Sequence, residues 1–142
     1  MTFKEWNAAA TVLSAMAIAA WVGRDLLTAG PAASLAGAAS NILWAIGASI
    51  LVSIVAIIVT TILVSVVQRA ELRDERTDER DRLVNGKAMR NGYLVLSVGV
   101  LGVLILMAAG MAPPLAPYAL FGVAMLAGIV TSASELIYYR IG

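Results

Sequence analysis

Most of the residues that could do chemistry in this chain lie in one stretch, Arg69 to Leu83. It reads Arg-Ala-Glu-Leu-Arg-Asp-Glu-Arg-Thr-Asp-Glu-Arg-Asp-Arg-Leu. Such side chains recognise other charged groups through ion pairs and charge-assisted hydrogen bonds. Placed on a helix at roughly 100° per residue, the charges sort by sign. Arg69, Arg73, Arg76 and Arg80 fall on one face, and Glu71, Asp74, Glu75, Asp78 and Asp81 fall mostly on the other, with Arg82 among them. Like charges at i,i+4 weaken an isolated helix by about 0.2–0.5 kcal/mol per pair, so a lone solvated helix gains nothing from this sorting. It suits a helix with different neighbours on its two sides. Anionic lipid headgroups fit the Arg face. A basic protein partner, or the Arg stripe of a second copy, fits the acidic face. A solvated helix that only anchors topology is the plainer reading, and the residues alone leave both open. Arg73, Asp74, Arg76, Asp78, Glu79, Arg80 and Asp81 are the candidates for partner binding. Asp74, Asp78 and Asp81 also offer oxygen ligands to a hard cation, but the interleaved Arg residues repel one and no ligand-loop spacing is present.

Outside this stretch the ionisable candidates are few. Glu135 lies in an apolar run, where an ionisable group is a functional candidate by default. Arg140, Arg69 and Arg90 are its expected partners, and simple anchoring competes with proton coupling as its role. Arg24 and Asp25 adjoin the far end of the first apolar run. The chain contains no Cys and no His. That removes thiolate chemistry, the commonest general base and the usual metal and haem ligands. The composition therefore argues against an enzyme and names no metal or cofactor.

The elements that hold these residues are membrane spans. Hydrophobic residues make up 61% of the 142 and charged residues 13%, about half the share usual in soluble domains. A spanning helix needs about 20 mostly apolar residues, because hydrocarbon offers the backbone no hydrogen bonds. Four stretches qualify, at residues 7–27, 42–67, 93–111 and 117–139. The expected fold is all-α: a single transmembrane domain over 1–142, built as an integral membrane four-helix bundle from two hairpins. Met1 to Gly23 has the Lys, apolar run and small residues of a leader, but with three spans following it is read as a retained first span. Asn41 is the expected cap of the second helix. Pro113 and Pro114 end the third. The charged segment 68–91 is expected to extend spans two and three as a helical hairpin, with Asn85-Gly86 as a helix stop.

Lys and Arg set orientation. The central segment carries most of them, Lys4 precedes span one and Arg140 follows span four. N-terminus, central segment and C-terminus are thus all expected on the cytoplasmic side, in a multi-pass protein of a prokaryotic inner membrane. Trp6, Tyr93, Tyr138 and Tyr139 fit an inner aromatic belt, and Trp44 and Tyr118 an outer one. Ala15, Ala19 and Gly23, Ser49 and Ser53, and Ala124, Gly128 and Ser132 recur at four-residue spacing. Such stripes let helices approach closely in lipid, either within one chain or across a homodimer.

The run Asp78-Glu79-Arg80-Asp81-Arg82-Leu83-Val84, followed by Gly86, Arg90 and Tyr93, resembles a family of small, uncharacterised prokaryotic four-transmembrane-helix proteins. Their cytoplasmic loop is of the Asp-Glu-Arg-Asp type, then an aliphatic pair, a basic residue and one or two Tyr. Asn85-Gly86 and Asn91-Gly92 depart from that pattern by adding glycines. Members are often encoded beside small helix-turn-helix regulators, so the resemblance implies a loop that binds one. The first functional expectation is therefore a non-enzymatic membrane adaptor or sensor that binds a cytoplasmic protein through residues 68–91 and has no direct contact with nucleic acid. The alternative is a small four-span transporter or channel. It is disfavoured because no span carries a charge at its centre and the first span lacks the Glu of the multidrug exporters it resembles in size.

Overall fold

The computed structural model describes residues 3–68 and 79–141. It is all-helical: α1 (Phe3–Ala29), α2 (Leu35–Gln68), α3 (Glu79–Ala108) and α4 (Leu115–Ile141). Each helix contains a stretch long and apolar enough to cross a bilayer. At 1.5 Å per residue even the 27-residue helices exceed the roughly 30 Å of hydrocarbon.

The stops between helices follow local chemistry. Gly30 ends α1 in the left-handed conformation, with φ of 76°, and its N–H donates to the Leu26 carbonyl at 3.1 Å. Gly110, with φ of 98°, ends α3 in the same way. Its N–H donates to Met107 at 3.1 Å and that of Met111 to Leu106 at 3.0 Å, the paired bonds of a Schellman turn. Pro113 and Pro114 then bar any continuation, as expected.

Two expected boundaries are corrected. Asn41 does not cap α2, which begins six residues earlier at Leu35. Ser34 is the cap: its Oγ accepts from the Gly37 N–H at 3.1 Å and its carbonyl from Ala38 at 3.0 Å. Asn85-Gly86 is not a stop either. α3 runs unbroken from Glu79 through both glycine pairs, so the expected extension of span three exists on the described residues. A glycine inside a helix costs about 1 kcal/mol, and packing overrides it here, since Val84, Ala88 and Gly92 are all buried. The tip of the expected hairpin lies outside the described residues.

The helices form two hairpins joined through α4. α1 packs on α2, and α3 packs on α4. α4 also touches α1 and α2, whereas among the described residues α3 rests on α4 alone. The core lies toward the end with the short connections, where Ile18, Ala38, Ile42, Ala45, Tyr118 and Phe121 cluster. Tyr118 is thus a core residue and not part of an outer aromatic belt. Asn41 donates from Nδ2 to its hydroxyl at 3.3 Å. Trp44 and Tyr93 are largely exposed, as belt residues should be. Two glycines of α3 serve close contacts with α4, whereas an added Cβ on Gly23 or Gly128 of the expected stripes meets nothing within 4 Å. A Cβ on Gly92 would collide with Thr131, and one on Gly99 would collide with Val123. Past Ala45 no described residue of α2 is buried, so α2 covers its neighbours only partly over its second half.

Candidate functional site

The opposite end of the bundle, called here the charged end, gathers the start of α1, the start of α3 and the end of α4. A cleft of about 520 Å³ opens between them. Each helix contributes positions one turn apart, which share a face. α1 supplies Asn7 and Thr11, α3 supplies Asp81, Arg82, Asn85 and Met89, and α4 supplies Glu135 and Tyr139. Ala8, buried on α1, and Gly86 on α3 have little or no side chain, and that leaves the space between these helices open.

The polar groups of the cleft are unevenly satisfied. The Thr11 hydroxyl donates to the carbonyl of Asn7 at 2.9 Å and is spent within its own helix. The Asn7 side-chain oxygen Oδ1 is buried with no donor among the described residues. Asp81 is half-buried and engaged with a neighbouring group, whereas Arg82 and Asn85 are exposed at the rim. Glu135 is half-buried, and among the described residues neither Arg90 nor Arg140 pairs with it. Arg69, its third expected partner, lies outside them. The cleft wall thus presents carboxylate and amide oxygens, with one guanidinium at its edge. That is a surface for binding hydrogen-bond donors and cationic groups.

Next to the cleft, a polar clamp fixes α3 on α4. Asn91 donates from Nδ2 to the Ser134 hydroxyl at 3.2 Å and the Tyr138 hydroxyl at 3.0 Å. The start of α3 is therefore held at a fixed rotation beside Glu135.

The structure brings together two residues singled out separately by sequence, Asp81 of the charged segment and Glu135 of span four. Glu79 and Arg80 form the first turn of α3. Arg73, Asp74, Arg76 and Asp78 lie outside the described residues. Arg24 and Asp25 are exposed near the end of α1 and do not join the cleft. Among the described residues no group of three carboxylates stands together as a cation site. Sequence reasoning missed Asn7, Asn85, Asn91 and Tyr139. The signal was available as polar residues at i,i+4, namely Asn7 with Thr11, Asp81 with Asn85, and Glu135 with Tyr139.

Residues 8–142 match the model of a family described as "Predicted membrane protein (DUF2178)". No curated protein and no solved structure matches the chain.

Proposed function

We propose that this chain, which belongs to the DUF2178 family of predicted membrane proteins, is a non-enzymatic adaptor or sensor. It sits in a prokaryotic inner membrane with both termini in the cytoplasm. Its partner is a cytoplasmic protein, and by the family resemblance a small transcription regulator. The binding surface is the charged segment 68–91 together with the cleft that it borders.

One observation carries the reading. α3 carries residues 79–91 of the charged segment into the bundle without a break, and the same helix face that bears Asp81 and Asn85 lines a cleft with Glu135. A basic side chain of a partner docked on the segment can enter the cleft, where it meets carboxylate oxygens and the unpaired Oδ1 of Asn7. Charge complementarity of this kind fixes register and partner choice. Because α3 and α4 are clamped, occupancy at the charged end is felt by both spans.

The test is recovery of cytoplasmic proteins with the native protein in mild detergent, repeated after charge reversal. Asp74, Asp78 and Asp81 to Lys should abolish recovery while membrane insertion is retained, and Glu135→Lys should weaken it. Unchanged recovery sinks the proposal. The transporter alternative rests on Glu135, a half-buried carboxylate in a span with no cation paired to it among the described residues. Proteoliposome flux that survives Glu135→Gln disposes of that form of it.

A further inference from the structure

A second cavity, of about 320 Å³, lies between α1, α2 and α4, next to the core and further from the charged end. None of its lining residues is charged. Its wall is a mixture of Ile18 and Met125 with the hydroxyls of Thr11, Ser49, Ser53, Thr131 and Ser132. Hydroxyls in a spanning helix ordinarily donate back to a carbonyl of the same helix. Thr11, Ser49 and Thr131 do so, at 2.9, 2.7 and 2.9 Å. Ser132 does not. It is 8% exposed, one of two buried polar residues among those described, and its hydroxyl has no partner among them. The other, Ser14, donates to the Thr11 carbonyl. Ser53, across the cavity, has no partner among the described residues either.

The Ser132 hydroxyl opens onto the cavity, and a donor there without an acceptor is costly because water is scarce inside a membrane. An acceptor on whatever fills the cavity would compete for this donor with the Gly128 carbonyl one turn back. The volume is at the small end of the range for ligand pockets. The uncharged wall favours a neutral ligand, and its apolar part calls for a largely hydrocarbon body. Because α2 covers its neighbours only partly beyond Ala45, the cavity is reachable from the bilayer.

We propose that this cavity binds a neutral, lipid-soluble ligand through a carbonyl oxygen that accepts from Ser132, with Ser53 as a second donor. Two membrane components offer that chemistry, the ester of a glycerolipid and the ring of an isoprenoid quinone. The site shares Thr11 with the cleft but no charged residue, and the proposal does not require a partner at the charged end.

The test uses the full chain purified in dodecyl maltoside, which has no carbonyl. Native mass spectrometry and thermal unfolding are read against three neutral probes: a short-tailed benzoquinone, dioctanoylglycerol, and its ether-linked analogue. Binding of the quinone alone or of the ester lipid alone supports the proposal and identifies the source, and binding of both supports the shared chemistry. Ser132→Ala should weaken binding about fivefold, the worth of one hydrogen bond, while Ser49→Ala, whose hydroxyl is already spent, should not. Gly128→Leu should abolish binding, since a Cβ there meets nothing within 4 Å and the side chain can fill the cavity without disturbing the fold. Equal binding of ester and ether lipids, binding of no probe, or full affinity in both Ser132→Ala and Gly128→Leu overturns the proposal.

Discussion

Replacing Gly92 with Ala probes how α3 is held. The added Cβ would collide with the Thr131 side chain and stand 3.0 Å from the Ala127 carbonyl oxygen. Thr131 can rotate, but its hydroxyl then gives up the 2.9 Å bond to Ala127, and the carbonyl belongs to the α4 backbone and cannot yield. Overpacking of this kind costs about 1–3 kcal/mol. Against it, exchanging a helical Gly for Ala returns about 1 kcal/mol of helix propensity. The net expectation is destabilisation of roughly 0–2 kcal/mol. Gly86 supplies the control in the same helix. A Cβ there meets nothing within 4 Å, so Gly86→Ala should stabilise by about 1 kcal/mol. The same substitution six residues apart should therefore change sign, with a gap of about 1–3 kcal/mol equal to the steric cost. Equilibrium unfolding in mixed SDS micelles, followed by circular dichroism, measures both. Thr131→Ala in the Gly92→Ala background should recover part of the loss and not all of it, because the Ala127 carbonyl remains. If Gly92→Ala proves as stable as Gly86→Ala, then α3 does not approach α4 this closely and the packing argument fails.

Three more outcomes follow from single contacts and are read by the same unfolding assay. Asn91→Ala removes both clamp bonds to Ser134 and Tyr138 and should cost about 1–2 kcal/mol, with Tyr138→Phe costing less. Tyr118→Ala, at 8% exposure in the core cluster, should cost about 3–5 kcal/mol, whereas Tyr118→Phe should lose only the weak 3.3 Å bond from Asn41. Ser34→Ala should cost about 1 kcal/mol as a lost helix cap, and Asn41→Ala should not behave as a cap mutant.

Much of the fold was legible because hydrocarbon enforces it: four apolar runs had to be four helices. The boundaries were less legible. Residues 28–40, before Asn41, are rich in Ala, Gly and Ser and carry few large apolar side chains, yet Ala38 among them is small enough to pack in the core, and closeness of approach is invisible to a hydropathy scan. Gly86 and Gly92 carry a local breaking signal that packing on α4 overrides. The candidate site was half legible. Asp81 and Glu135 stood out as charges, whereas Asn7 and Asn85 joined them only because α4 holds α1 and α3 on either side of itself. That adjacency belongs to the tertiary structure and leaves no mark on any one span.

The contacts of α4 also bear on biogenesis. It follows the other three helices in chain order, yet it alone touches all of them. During synthesis the α1–α2 hairpin can pair as soon as it leaves the translocon. α3 then waits in the lipid with no docking surface, and Asn91 meanwhile lacks the hydroxyls that later receive it. A ribosome stalled within α4 would leave α3 as an orphan segment, the close-packed face of Gly92 and Gly99 bare of its partner.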